Sequence, residues 1–181
     1  MDALVPAFVA ALLAGIADRP ARLAAMLGTS GRISGVVAGL ALGHALAIAI
    51  SVAGALAIAP LMAPNARALL LAVALILTGF SGIRGRAAPT ASRNTGFIAA
   101  ATGSFIGGDG TAFLAFALAV KGSAPVLAGV GALAGALLLG ITAAVMGRDW
   151  ERVPLLWLGR VAGGLLLVTG VIVGLTAMRL I

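Results

Sequence analysis

Two aspartates stand inside long apolar stretches of the chain. Asp18 lies in the stretch GIADRP (15–20), and Asp109 lies in the stretch GSFIGGDGT (103–111). A charged side chain at the centre of a bilayer costs about 2.5–3.5 kcal/mol on insertion scales, so such residues usually face protein or water and serve binding or transport. Both aspartates are therefore candidate functional residues.

Helix-breaking residues surround both aspartates. Pro20 comes two residues after Asp18, and glycines flank Asp109 on both sides. Each would loosen the helix and free backbone carbonyls to coordinate an ion, as in the broken helices of transporters. We therefore expect backbone carbonyls beside Asp18 and around Gly107–Gly110 to be free to coordinate an ion.

Arginines close to Asp18 allow a purely structural alternative. Arg19 is adjacent to Asp18, and Arg22 follows four residues after it, which is the spacing of an intrahelical ion pair. These charge partners would either neutralise Asp18 permanently and help to hold the protein together, or act as tethered cations that leave Asp18 when substrate binds. Both interpretations stay open at this point.

His44, the one histidine of the chain, lies in the apolar stretch GLALGH (39–44). Because imidazole titrates near neutral pH, His44 could couple transport to proton movement. The alternative is a histidine that donates a hydrogen bond to a backbone carbonyl of a neighbouring helix. This second role is the more common one for a lone histidine in an apolar helix.

The composition is that of an integral membrane protein. Of the 181 residues, 62% are hydrophobic and 9% are charged, against about 25% charged residues in soluble domains. The net charge of +7 comes mainly from single basic residues between apolar runs, a pattern that positive-inside topology explains without a nucleic-acid partner. The chain has no cysteine and one histidine, which leaves few groups for catalysis. We predict neither an enzyme nor a resident cofactor.

Breaks rich in Gly, Pro, Ser and Arg divide the chain into six predicted membrane-spanning helices. Their predicted bounds are 3–27, 33–59, 66–83, 95–120, 124–146 and 154–178. The first helix is expected to be retained, because Met1-Asp2 supplies no basic segment of a signal peptide. Basic residues concentrate in the odd-numbered loops, so we predict cytoplasmic odd-numbered loops and two external termini in a bacterial-type inner membrane.

Small residues in the fifth predicted helix indicate close packing. The stretch GVGALAG (129–135) resembles a dinucleotide-binding glycine motif, but no strand precedes it and it lies inside a predicted span. Small residues at such spacing let helices approach each other closely in membranes. We likewise expect Thr78 and Thr169 to donate hydrogen bonds back to their own helices.

An internal repeat predicts the architecture. A shift of 91 positions places Asp18 on Asp109 and the Thr-Gly pair 78–79 on the pair 169–170. Each half then holds three helices, an odd number, so the halves have opposite orientations in the membrane. Inverted repeats are typical of secondary transporters, whose site lies near mid-membrane between the repeats. We predict an all-α polytopic membrane protein with a first repeat over 1–83, a cytoplasmic linker over 84–94 and a second repeat over 95–181.

These features resemble the Gdt-type cation/proton exchangers, the family of transmembrane protein 165. Members have two inverted three-helix repeats, each opening with the motif Glu-x-Gly-Asp-Lys-Thr/Ser. The second copy here, IGGDGT (106–111), keeps Gly108, Asp109 and Thr111, and the first, GIADRP (15–20), keeps Asp18 and a basic residue at Arg19. The resemblance implies exchange of Mn²⁺ or Ca²⁺ for protons, with the motif aspartates as metal ligands. It leads us to expect one half-site made of Asp109, Thr111 and the carbonyls around Gly107–Gly110, and another half-site at Asp18.

The chain departs from the family motif at both glutamates. Gly15 and Ile106 occupy the glutamate positions, and Arg19 and Arg22 balance the charge of the two remaining aspartates. Hard divalent cations prefer several oxygen ligands with net negative charge. We therefore keep two alternatives, a non-transporting membrane scaffold or partner subunit with structural Asp–Arg pairs, and a transporter of an anionic or zwitterionic substrate. The expected partners are the lipid bilayer and the transported ion, with self-association into a homo-oligomer left open.

Overall fold

The computed structural model describes residues 3–16, 18–29, 33–84, 96–107 and 109–180, and at positions 107 and 109 it describes the backbone alone. Gly108 and nearly all of the predicted linker 84–94 lie outside the described residues. Within these residues the chain is helical apart from short connections, and it contains no strand.

Eight α-helices and two short 3₁₀ helices make up the described part of the chain. The α-helices are α1 (Leu4–Gly15), α2 (Arg19–Gly28), α3 (Ile33–Ile58), α4 (Pro64–Arg84), α5 (Gly96–Gly107), α6 (Asp109–Lys121), α7 (Pro125–Met146) and α8 (Leu155–Ala177). The 3₁₀ helices, Ala59–Leu61 and Gly147–Arg152, follow α3 and α7. These bounds differ from the predicted ones chiefly because the first and fourth predicted helices are each divided in two.

The first predicted helix is broken at Asp18, where α1 and α2 meet with a bend of 68°. Asp18 adopts an extended conformation (φ −82°, ψ 155°), and its carboxylate accepts a hydrogen bond of 3.0 Å from the Arg19 backbone N–H. Aspartate is a favoured N-cap, and Pro20 fits the first turn of a helix because no hydrogen-bond donor is needed there. The continuous helix predicted over 3–27 is therefore corrected to two helices.

The fourth predicted helix is broken in a similar way. α5 and α6 are bent by 50° relative to each other, and α6 begins at Asp109. Glycine weakens a helix because it has more conformational freedom to lose than other residues, so the glycine-rich sequence around Asp109 favours a break there. The continuous helix predicted over 95–120 is likewise corrected to two helices.

The helices are long and apolar enough for a membrane protein. Within the described residues, four segments can each cross a bilayer alone: Ile33–Leu61, Pro64–Arg84, Pro125–Arg152 and Leu155–Ala177. The number rises to six if each bent pair crosses as one span. Large apolar side chains face outward, among them Ile50 and Leu156 at 62% and 61% exposure, and an apolar surface this extensive suits lipid. The predicted class, an all-α polytopic membrane protein, is confirmed.

Small residues let the helices approach each other closely. α4 packs extensively against α8, and a Cβ atom on Gly163 would stand 2.5 Å from the carbonyl oxygen of Gly79. α1 packs on α7, where Gly131 and Gly135 lie directly against backbone carbonyls of α1. The predicted packing role of the glycines in 129–135 is therefore confirmed.

Candidate ion-binding site

Three buried polar side chains line one small cavity. Asp18, His44 and Thr111 are 5%, 4% and 2% exposed, and the cavity that they share has a volume of about 10 Å³. Five helices contribute to its walls, namely α1, α2, α3, α6 and α7 or their caps. The remaining lining residues are small or apolar: Gly15, Pro20, Ala21, Ala136, Leu139 and Gly140.

Asp18 reaches the cavity because the chain turns between α1 and α2. Its backbone N–H donates a hydrogen bond of 3.1 Å to the carbonyl oxygen of Gly15, which closes the end of α1. Its carboxylate caps α2 through the Arg19 N–H, and Asp18 has further interaction within the protein besides this cap. The Arg19 side chain is exposed and does not line the cavity, so Arg19 contributes its backbone to the cap.

Thr111 comes from the second broken helix. α6 begins at Asp109, so Thr111 lies in its first turn. Gly110 packs against α4, since a Cβ atom there would stand 3.3 Å from the Cγ2 atom of Thr78. Gly108 and the Asp109 side chain, both predicted site groups, lie outside the described residues. The cavity thus joins the start of α6 to the break between α1 and α2.

His44 enters the cavity from the long helix α3. Its neighbour Gly43 lies directly against α5, where an added Cβ atom would collide with Ser104, and this close approach fixes which side of α3 faces inward. Among the described residues, no hydrogen bond joins the His44 imidazole to a backbone carbonyl. The structure instead brings the imidazole to the same cavity as the Asp18 carboxylate.

The size of the cavity limits what it can hold. A volume of about 10 Å³ is at the lower limit for one water molecule, so in this conformation the cavity has room for a bare ion and for nothing larger. Carboxylate, imidazole and hydroxyl groups are ligands for protons and small metal cations. The arrangement is therefore suited to a monoatomic cation.

The donor set distinguishes between metals. Ca²⁺ takes about six to eight oxygen ligands, whereas the described side chains at the cavity offer one carboxylate, one hydroxyl and one imidazole. Within the described residues, no group of three or more His, Cys, Asp or Glu side chains is placed to hold a metal. Backbone carbonyls or water would complete the coordination of any ion here, and an imidazole ligand favours a transition metal over calcium.

Helix ends contribute partial charges to the cavity. α2 and α6 present their N-terminal turns to it, and α1 presents its C-terminal residue Gly15. The N-terminal end of a helix carries partial positive charge and the C-terminal end partial negative charge. Because these contributions oppose each other, the Asp18 carboxylate is the principal negative charge that the described residues supply.

Arg22 lines a different cavity. This second cavity has a volume of about 590 Å³ and lies where α2, the 3₁₀ helix Gly147–Arg152 and α8 meet. Neither Arg22 nor Arg19 lines the 10 Å³ cavity. An anionic substrate there would lie beside the negative Asp18 carboxylate, and neither arginine would contact it from the cavity wall. The alternative of an anionic substrate at this site gains no support from the geometry.

Sequence reasoning missed Trp150. This residue lines the second cavity, and its buried indole Nε1 atom has no hydrogen-bond partner among the described residues. The sequence around it, GRDWER (147–152), is an ordinary polar turn. No sequence pattern indicates an unsatisfied indole, because that property depends on which elements cover the ring.

The repeat-related threonines lie outside the small cavity. Thr169 donates a hydrogen bond of 2.8 Å to the carbonyl oxygen of Leu165, four residues earlier in α8, as predicted. Thr78 is buried beside Gly110, so it packs α4 against the start of α6. Thr169 therefore serves helix geometry and Thr78 serves helix packing.

Comparison with known proteins adds no family assignment. No family model, no curated protein and no solved structure matches the chain. The resemblance to Gdt-type exchangers thus stays a prediction from the motifs, and the function rests on the cavity, the broken helices and their packing.

Proposed function

We propose that this protein is a secondary transporter that moves one small metal cation across the membrane in exchange for protons. The observation that carries the proposal is the cavity of about 10 Å³ that Asp18, His44 and Thr111 share. Asp18 and His44 belong to the first half of the chain and Thr111 to the second. A site between two halves opens to either side of the membrane when the halves move relative to each other.

The order of the helices supports an inverted repeat. When α1 to α4 are displaced by 91 positions, their bounds fall within three residues of those of α5 to α8. The bent pairs α1–α2 and α5–α6 then correspond, and their breaks coincide at Asp18 and Asp109. Breaks at corresponding aspartates support the proposed repeat.

The packing of the helices follows the same correspondence. α1 packs on α7 as α5 packs on α3, and α2 packs on α7 as α6 packs on α3. Where α4 and α8 meet, Gly79 lies against Gly163, and the corresponding Gly170 lies against Ala72. Such a two-fold relation supports alternating access, since repeats of opposite orientation can rock against each other around a common site.

Mn²⁺ is the substrate that this site suits best. The resemblance to Gdt-type exchangers implies Mn²⁺ or Ca²⁺, and the imidazole of His44 favours the transition metal within that pair. Exchange for protons is likewise what the resemblance implies. We propose a bacterial-type inner membrane with cytoplasmic odd-numbered loops and external termini, as the distribution of basic residues predicts.

Reconstitution into proteoliposomes tests the proposal. Uptake of Mn²⁺ is followed with a fluorophore trapped inside the vesicles, with and without an imposed pH gradient. We expect uptake that requires the gradient and that is lost in Asp109→Asn. Absence of flux in the wild-type protein, or equal flux in Asp109→Asn, would contradict the proposal.

A matched control separates transport from folding. Asp149 is an exposed aspartate that forms an ion pair with Arg152 at 2.8 Å and lies outside the cavity, so Asp149→Asn should transport as the wild type does. If the protein is instead a membrane scaffold, Asp109→Asn should lower its melting temperature while the wild type carries no Mn²⁺. The two readouts distinguish a transporter from a scaffold.

A further inference from the structure

The second cavity is built by a sharp turn after α7. Gly147 has a φ of +52°, a left-handed conformation that glycine adopts without steric cost. The turn brings Trp150 into an apolar cluster with Leu23 and Leu27 of α2. The cavity of about 590 Å³ lies beside this cluster, and the transport mechanism proposed above makes no use of it.

The lining of this cavity is cationic. It contains three arginines and one acidic residue, namely Arg22, Arg148, Arg160 and Glu151. Arg22 already interacts within the protein, so a ligand here would depend on Arg148 and Arg160. The nearby Asp149 and Arg152 pair with each other at 2.8 Å and do not line the cavity, so they leave its charge unchanged. Guanidinium groups bind phosphate with paired, charge-assisted hydrogen bonds, which makes a phosphate group the natural counter-ion.

Trp150 lies against the same cavity. Its side chain lines the cavity and is 6% exposed. Its Nε1 atom is buried and has no acceptor among the described residues. Because the protein encloses that nitrogen, Trp150 contributes apolar surface to the cavity and not a hydrogen-bond donor.

The cavity also has an apolar wall at the depth of a membrane surface. α7 ends at Met146 and α8 begins at Leu155, and both helices are long enough to span a bilayer, so the turn between them lies near the lipid headgroups. Leu156 and Trp157 line the cavity and are 61% and 63% exposed. Tryptophan is enriched at this depth because its ring suits the boundary between acyl chains and headgroups.

We propose that this cavity binds the phosphate headgroup of an anionic phospholipid. Arg148 and Arg160 hold the phosphate, and the acyl chains run along Leu156 and Trp157. Basic pockets beside membrane-spanning helices favour anionic headgroups. Free inorganic phosphate should bind more weakly, because it shares this chemistry but has no acyl chain to contact the apolar wall. A zwitterionic lipid should also bind more weakly, because its headgroup brings a positive charge towards the arginines.

Lipid binding to the detergent-solubilised protein tests the proposal. Phosphatidylglycerol and phosphatidylcholine with identical acyl chains are added separately, and bound lipid is measured by native mass spectrometry together with the melting temperature. We expect phosphatidylglycerol to bind about tenfold more tightly and to raise the melting temperature. Equal retention of both lipids would overturn the proposal, as would equal stabilisation by inorganic phosphate alone.

Variants assign the binding to this cavity. The double variant Arg148→Gln/Arg160→Gln should lose most of the preference for phosphatidylglycerol. The single variant Arg160→Gln should weaken phosphatidylglycerol binding by about 2- to 10-fold, and it decides the question if the double variant does not fold. Arg152→Gln removes one charge from the same turn outside the cavity and should bind as the wild type does. A loss in Arg152→Gln as large as in the double variant would indicate diffuse attraction and overturn the proposal.

Discussion

Asp18 and His44 line the same buried cavity although they belong to different helices, with Asp18 at the cap of α2 and His44 within α3. Neither side chain is more than 5% exposed. Burial of a carboxylate costs free energy unless a cation or hydrogen-bond donors compensate its charge. A cation bound to the Asp18 carboxylate could also be coordinated by the His44 imidazole. Single substitutions at this cavity should therefore change ion binding more than they change the fold.

Replacing Asp18 by asparagine should abolish tight Mn²⁺ binding. Loss of a residue that only supports a metal ligand lowers metal affinity by roughly 10- to 100-fold. Loss of a ligand itself should lower the Mn²⁺ affinity at least as much. Asparagine caps helices as well as aspartate does, so α2 should keep its start. Calorimetric titration with Mn²⁺ measures the affinity, with Asp149→Asn as the control. An unchanged affinity in Asp18→Asn would exclude Asp18 as a ligand.

Replacing His44 by glutamine should change which metal is preferred. Transition metals accept an imidazole nitrogen as a ligand, whereas Ca²⁺ rarely binds one. Glutamine keeps a polar side chain but offers an amide oxygen instead of that nitrogen. The preference for Mn²⁺ over Ca²⁺ in competition titrations should fall by about tenfold or more. If the affinities for Mn²⁺ and Ca²⁺ fell equally, or if neither fell, His44 would not contact the ion.

Replacing Thr111 by valine should weaken ion binding moderately. Valine has nearly the shape of threonine but lacks the hydroxyl, and one hydrogen bond contributes about 0.5–1.5 kcal/mol, so the affinity should fall by about 2- to 10-fold. Thr169→Val is the matched control, because the Thr169 hydroxyl bonds to its own helix and lies outside the cavity. The prediction is wrong if both variants bind Mn²⁺ with the same affinity.

Adjacent glycines of α8 should respond very differently to alanine. A Cβ atom on Gly163 would stand 2.5 Å from the Gly79 carbonyl oxygen and 2.9 Å from the Ile83 backbone nitrogen, whereas one on Gly164 would meet nothing within 4 Å. Gly163→Ala should cost about 1–3 kcal/mol by forcing α4 and α8 apart. Gly164→Ala should change stability by no more than about 0.5 kcal/mol. Reversible unfolding in detergent measures both, and similar values would refute the close contact.

The breaks in the first and fourth predicted helices followed from local sequence. Aspartate followed by proline favours a helix start, and glycines around Asp109 weaken a helix, so the loosening at both positions was predictable. The sequence pattern did not reveal that the helices would divide completely, with bends of 68° and 50°. The size of a bend depends on the helices that pack on either side of it, and those contacts are distant in sequence.

The surroundings of the arginines were harder to predict. Their spacing from Asp18 predicts side-chain pairing, and that pairing stays a prediction. The structure adds that the Arg19 side chain is exposed and that Arg22 lines the larger cavity beside Trp150. Asp18 is extended and caps α2, and that conformation appears only once the break is known.

By itself, the sequence determined that the chain is helical, that it is built for a membrane and that two of its helices weaken at Asp18 and Asp109. These properties depend on the length of apolar runs and on the position of proline and glycine, which are local. Only the tertiary structure decided that His44 shares a cavity with Asp18 and Thr111. α3 is apolar around most of its circumference, and lipid is as apolar as a helix interface, so hydrophobic pattern does not orient such a helix. Close contacts such as Gly43 against α5 set its rotation, and these exist only in the folded protein.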